Sequence, residues 1–295
     1  MGSSINELGL IDRLFSIVND EEAGSDPDVI LANYFLTHYT ELADLNVWDI
    51  ADACYVSRSS VRRFCQRVGF DNYRQLKSEM RTYNHSYAYF MKAATQENYR
   101  DNITKELISM ALELNRRCDT EEMNRIVTRI HDSGKVLFLT SYSTLSVVHE
   151  FQRPLVLSGK VVGIKSDILE NDAYLGSMTE NDYVFVVSAM GNYARVVAPM
   201  LKNCKARKAV LTASRKDDFA QPFDDVYHLS AEDYDGVKSW FGKYGMFYFF
   251  DVLYSEYVRK YGIRFHRNEI KEKREIKQKT EQPAQNTGMT FIKKE

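Results

Sequence analysis

The stretch from Asn46 to Arg81, NVWDIADACYVSRSSVRRFCQRVGFDNYRQLKSEMR, constrains this chain most, because it sets two short amphipathic segments either side of a break and gathers positive charge on the second. Val47, Ile50, Ala51 and Cys54 recur at spacings of three and four, which places them on one face of a helix. Tyr55, Val56 and Ser57 interrupt that pattern. Ser57 suits the N-cap of a second helix, since its hydroxyl can accept from an orphan N–H one turn in, and Gly69 suits its end after Val68. Within the second helix Val61, Phe64, Cys65 and Val68 form an apolar stripe and leave Arg58, Ser59, Arg62, Arg63, Gln66 and Arg67 pointing away. From Arg58 to Arg81 seven Lys and Arg residues face only Asp71 and Glu79, a local charge of +5 in a chain whose formal total is −2. Two short helices of this kind, the second with a basic, hydroxyl-rich outer face, are the arrangement that lays a recognition helix in the DNA major groove. An ordinary helical hairpin with a solvated basic face fits the same pattern. On the DNA reading Arg58, Ser59 and Arg62 near the helix start meet bases, Arg63, Arg67 and Lys77 meet phosphates, and Ser57 and Ser60 complete the expected contact set.

A length of 295 residues, 44% hydrophobic and 27% charged, suffices for two globular domains that each bury a core. No run approaches the roughly twenty apolar residues that cross a bilayer, and MGSSINELGLIDRLF is acidic where a secretory signal would be basic, so a cytoplasmic protein with no membrane partner is expected. Cys54, Cys65, Cys118 and Cys204 are far apart, which suggests neither a disulfide framework nor a zinc site, and no cofactor motif is present. Before Val47 nine acidic residues (Glu7, Asp12, Asp20, Glu21, Glu22, Asp26, Asp28, Glu41 and Asp44) stand against Arg13 alone, so basic charge is focused on one module.

Helical spacing over residues 5 to 18 is followed by a polar break, with Asp26 as a cap and Pro27 opening a helix to about Thr37. A further helix is expected from Phe70 to Tyr83, capped by Asp71 or Asn72. Residues 84 to 104 are polar and aromatic and read as a partly helical linker. Helices around Ile103 to Leu114 and Met123 to Ile130 lead into a different rhythm: VLFLT (136 to 140), KVVGI (160 to 164), DYVFVVS (182 to 188), KAVLTAS (208 to 214) and DVYHLS (225 to 230). Continuous apolar runs about twenty residues apart imply buried parallel strands joined by crossover helices, hence a doubly wound α/β sheet whose ligands bind at the carboxyl ends of the strands. The segment WFGKYGMFYFFDVLYSEYVRKYG reads as a helix apolar almost all round, to be covered by the sheet and by a second subunit. The expected division is a DNA-binding domain over 1–83, a linker over 84–104, an α/β domain over 105–262 and a disordered tail over 263–295.

The run IADACYVSRSSVRRFCQRVGFDNYRQLK closely resembles the N-terminal domain of the RpiR (MurR/RpiR) family of bacterial transcriptional regulators, of the form IAxxAxVSxATVxRFCKKLGFxGFxELK. The second half resembles the sugar isomerase (SIS) domain of such regulators, most closely in MTENDYVFVVSAMGNYARVVAPMLKNCKARKAVLTAS. The resemblance implies an all-α helix-turn-helix domain followed by a doubly wound SIS domain, acting as a homodimeric or homotetrameric regulator of carbohydrate or sugar-phosphate genes on a near-palindromic operator. It also implies a sugar phosphate held by the loops after the first and third strands, here Ser141, Ser143 and Thr144, and Ser188, Gly191 and Asn192. Both loops depart from the family text. The glycines of GxGxS are gone from TSYST (140 to 144), and Met190 and Tyr193 stand where Ser and Thr are expected. A modified phosphate site and a ligand-free capping cluster both fit.

An isomerase would need a carboxylate or histidine poised over neighbouring carbons. His149 and Glu150 are adjacent, yet adjacent helical positions point about 100° apart, and HEFQR lacks the second histidine of a metalloprotease motif. No nucleophile motif, phosphate loop or metal cluster is found, and a regulator without enzymatic activity is expected. Two rivals stand beside it: an assembly module whose α/β domain only dimerises the DNA-binding domains, and a sugar-phosphate isomerase, which the altered loops disfavour.

Overall fold

The structure, a computed structural model, describes residues 5–19, 26–78, 94–118, 120–166, 172–215, 221–232 and 240–262. The far end of the helix expected to reach Tyr83, the segment 84–93 and the tail 263–295 lie outside the described residues.

The N-terminal domain is all helical: α1 (Ile5–Val18), α2 (Pro27–Thr37), α3 (Val47–Ala53), α4 (Arg58–Arg67) and α5, whose described part is 73–78. The expected caps are in place. Asp26 accepts from the Asp28 amide at 2.9 Å with Pro27 at the first helical position; Asn46, a cap not expected from the sequence, accepts from the Trp48 and Asp49 amides. Leu10, Leu14, Leu31, Phe35, Leu42, Ile50, Val61, Phe64, Val68, Phe70 and Leu76 close into one core, each almost wholly inaccessible. Phe35 meets Phe64 edge to face with ring centroids 5.2 Å apart.

The angle between α3 and α4 is set by a left-handed residue. Tyr55 has φ 54°, its amide donates to the Asp52 carbonyl, and the Val56 amide donates to the Ala51 carbonyl, the paired bonds that end a helix in a Schellman turn. Gly69, at φ 94°, ends α4 in the same way through Gly69 to Gln66 and Phe70 to Cys65. Glycine adopts this conformation without a Cβ penalty; tyrosine does not. Because the Tyr55 side chain is 96% exposed and loses little packing, Tyr55→Gly is expected to stabilise the domain by about 1 kcal/mol in chemical denaturation.

The second domain opens with α6 (Tyr99–Arg117) and α7 (Thr120–Asp132). The helix thus starts inside the stretch read as linker, because its first turns are solvated and carry no apolar stripe, while Met110 and Leu114 further on are buried and anchor it. A five-stranded parallel sheet follows, in the order β2-β1-β3-β4-β5, from β1 (Val136–Thr140), β2 (Gly163–Lys165), β3 (Tyr183–Val187), β4 (Arg207–Thr212) and β5 (Asp225–His228). Helices α8 (Tyr142–Leu155), α9 (Ala173–Gly176) and α10 (Asn192–Val197) lie between the strands, and α11 (Met246–Tyr261) closes the domain after a π-turn at Phe241–Gly245.

Side chains alternate across the strands and divide the core in two. Phe138, Tyr183, Phe185, Val187 and Leu211 pack with α7, α8 and α11, while Leu137, Leu139, Val184, Val186 and Val210 pack with α9 and α10. Both faces are covered, as the unbroken apolar strands require. The chain reverses direction across the sheet between β1 and β3, which makes their carboxyl ends the topological switch point. The aromatic helix is covered chiefly within its own chain: Met246, Phe249, Phe250, Leu253 and Tyr257 are buried against α7, α8 and the sheet, leaving Tyr244 and Phe247 about a third exposed.

Candidate nucleic-acid interface and sensor loops

On α4 the Ser57 hydroxyl accepts from the Ser60 amide at 3.1 Å and is linked to the Ser59 and Ser60 hydroxyls at 2.6 and 2.9 Å. Val61, Phe64 and Cys65 are fully buried, so Arg58, Ser59, Arg62, Arg63 and Arg67 are carried on the outer face. These residues do not all stand alike. Arg58 and Arg62, with Leu45, Asn46, Val47, Asn72, Tyr73, Arg74 and Lys77, line a groove of about 440 Å³ where the starts of α3, α4 and α5 converge. Arg63 reaches the Ser60 hydroxyl at 3.3 Å. Arg67 forms an ion pair with Asp28 at the start of α2, and Lys77 donates to the Leu45 carbonyl at 2.9 Å, so both also tie the domain together. Sequence reasoning did not single out Trp48, which is 57% exposed and carries the Arg58 guanidinium 3.6 Å from its ring centroid.

Burial pushes the Cys65 thiol up to about 12 and the Cys118 thiol to about 11, and raises those of Cys54 and Cys204. All four cysteines are free; Cys54, Cys65 and Cys204 are small buried core residues and Cys118 packs, partly buried, against the core of the α/β domain. Among the described residues no group of His, Cys, Asp and Glu is placed to hold a metal ion.

In the α/β domain Thr140 pairs with Val187, so the loops after β1 and β3 leave the sheet side by side. In the first loop Thr140 and Thr144 share a hydrogen bond at 2.6 Å, Ser141 bonds Thr144 at 3.2 Å and Ser143 at 2.9 Å, and Thr144 is buried. In the second, the buried Ser188 hydroxyl accepts from the Ala194 amide at 3.0 Å, Gly191 stands at φ 80° before α10, and Asn192 accepts from Arg195 at 2.6 Å. The structure therefore brings the six expected residues to the carboxyl ends of the neighbouring strands β1 and β3. Gly242 of the π-turn packs so close that a Cβ on it would lie 2.9 Å from the Ala189 Cβ, which fixes the second loop from behind. Met190 is 40% exposed at that loop. Tyr193 is buried to 3% and its hydroxyl donates to the Ser166 carbonyl at 3.2 Å, so its ring belongs to the core rather than to a wall for a bulky ligand. His149 is half-buried, while Glu150 is exposed and paired with Arg153 at 2.6 Å. The two domains meet here as well: α1 packs on α8 and α10, and Arg13, whose guanidinium donates to the Val68 carbonyl at 2.9 Å, lies 5.9 Å from the Tyr142 ring centroid.

A family profile described as "Helix-turn-helix domain, rpiR family" matches residues 13–86. The protein carries an rpiR-family helix-turn-helix domain. Among curated proteins the chain is 23% identical over 192 residues to an HTH-type transcriptional regulator in the aarA 3′ region of Providencia stuartii, covering 62% of this chain and 66% of that one. It is also 23% identical to the HTH-type transcriptional regulator GlvR of Bacillus subtilis over 64% of this chain and 68% of that one. The chain thus spans about two thirds of the length of these relatives. Among solved structures it is similar to the Vibrio vulnificus NanR protein complexed with ManNAc-6P, at 16% identity and TM-score 0.48 over 90% of this chain and 97% of that one. The rpiR-family domain matched by the profile includes α2, α3 and α4 with their caps, the elements that build the basic face.

Proposed function

We propose that the protein is a DNA-binding transcriptional regulator whose rpiR-family domain reads an operator and whose α/β domain governs it through the loops at the sheet's switch point. The observation that carries the reading is α4: a capped helix with a sealed apolar inner face and the Arg58, Arg62 and Arg63 guanidiniums on its outside. Selection of duplexes from a random pool by the full-length protein tests it, with enrichment of a near-palindromic sequence as the expected result. Such symmetry follows from a two-fold dimer, for which exposed Ile108 and Leu112 on α6, Tyr244 in the π-turn and Phe247 on α11 offer apolar surface. No enzymatic role is assigned.

The effector class follows from the loops. Short hydroxyls and helix starts suit a phosphate, so the candidate ligand is a sugar phosphate. Met190 in place of a hydroxyl and Tyr193 turned into the core remove two donors, each worth roughly 1.5 to 3 kcal/mol when charge-assisted, a hundredfold or more in affinity together. Simple hexose, pentose and amino-sugar phosphates are therefore expected to bind weakly in calorimetry. A low-micromolar constant for any of them would show that the loop retains a full phosphate site. A second reading, in which the domain only assembles the dimer, is favoured by hydroxyls that already bond one another. Contact of α1 with both α8 and α10 supplies a path by which occupancy at the loops would reach the DNA-binding domain.

A further inference from the structure

Beside the groove at the start of α4 stands an exposed aromatic residue that the basic face does not by itself require. Trp48 sits in the first turn of α3, immediately after the Asn46 cap, and stays more than half exposed although an indole is among the costliest side chains to leave in water. Its ring lies under Arg58, the first residue of α4, with the guanidinium carbon 3.6 Å from the ring centroid. That separation is well inside the range of a cation–π contact. Among the described residues Arg58 makes no ion pair or hydrogen bond through its side chain, unlike Arg63, which bonds Ser60, and Arg67, which pairs with Asp28.

We propose that Trp48 is a positioning residue for base recognition: its indole face holds the Arg58 guanidinium at the start of the recognition helix, leaving the N–H edge for a guanine in the major groove. The assignment rests on the DNA reading and adds to it the residue that confers specificity on Arg58. Stacking covers one face of the planar guanidinium and leaves its in-plane donors uncommitted. Those donors are the ones that match guanine O6 and N7 bidentately. An unheld arginine at this exposed site would sample many rotamers and lose that freedom on each encounter; a stacked one has lost much of it beforehand. The cost of exposing an indole is then offset in the complex rather than in the free protein.

The test uses the full-length protein with a duplex enriched from a random pool by the wild type and a scrambled duplex of equal length. Trp48→Ala is expected to weaken the enriched duplex about tenfold and to leave the scrambled one within about twofold, so that the ratio of the two affinities collapses. Trp48→Phe, which keeps a ring, should restore most of that ratio. In an Arg58→Ala background Trp48→Ala should produce no further change in the ratio, since nothing remains to be positioned. An unchanged ratio in Trp48→Ala, an equal loss on both duplexes together with a lower melting temperature, or an undiminished effect in the Arg58→Ala background would each overturn the assignment. A wild-type protein that enriches no sequence would overturn the DNA reading itself, an outcome distinct from any seen in the variants.

Discussion

Replacing Arg58, Arg62 and Arg63 together with alanine is expected to abolish the footprint on an enriched duplex, a loss on the order of a thousandfold, because each base- or phosphate-contacting arginine contributes about 1 to 3 kcal/mol. The same triple change should leave the melting temperature almost unaltered. The three side chains are exposed, their partners among the described residues are the Trp48 ring and the Ser60 hydroxyl, and the fold beneath them is held by Val61, Phe64 and Cys65. Arg67 is left in place because it is paired with Asp28 and its loss would disturb the packing of α4 on α2. Affinity for scrambled DNA should also fall and its salt dependence flatten, by roughly one unit of slope for each phosphate contact removed. An intact footprint in the triple variant would mean that the basic face is a solvated one.

How far the chain can be read without its structure depends on whether a local pattern decides the outcome. Helix α4 was legible to the residue, since Ser57 and Gly69 are its termini for reasons internal to the segment and the stripe at 61, 64, 65 and 68 repeats with helical period. The strands were legible as buried and parallel because their apolar runs are continuous. Their register was not: β2 pairs with β1 over Gly163 to Lys165, where the apolar run suggested 160 to 164. Lys160 instead turns its ammonium to the His131 and Ser133 carbonyls, and Val162 is buried before pairing begins, neither of which has a sequence signature. Helix α6 begins at Tyr99 because buried residues a few turns on propagate it backwards through solvated turns. The six loop residues were found by their likeness to a known text, whereas the burial of Tyr193 and the stacking of Trp48 depend on partners 27 and 10 residues away.

That burial changes what the loop after β3 can be made to do. Restoring the family text there suggests Met190→Ser with Tyr193→Thr, and the two halves of that change have opposite consequences. Met190 is 40% exposed, so a serine in its place adds a hydroxyl at the mouth of the site at little cost to packing and is expected to tighten a weakly bound sugar phosphate. Tyr193 instead belongs to the buried cluster that includes Leu139, Val186 and Val197 and donates to the Ser166 carbonyl at 3.2 Å, tying the exit of β2 to α10. Threonine there removes a ring and leaves a void, a change that costs about 3 kcal/mol and should lower the melting temperature of a domain this size by roughly 6 to 12 °C. Calorimetry and thermal melting of the two single variants separate the effects: Met190→Ser should melt like the wild type and bind better, and Tyr193→Thr should melt early. A Tyr193→Thr variant of wild-type stability would mean that the ring is not the core residue its 3% exposure implies.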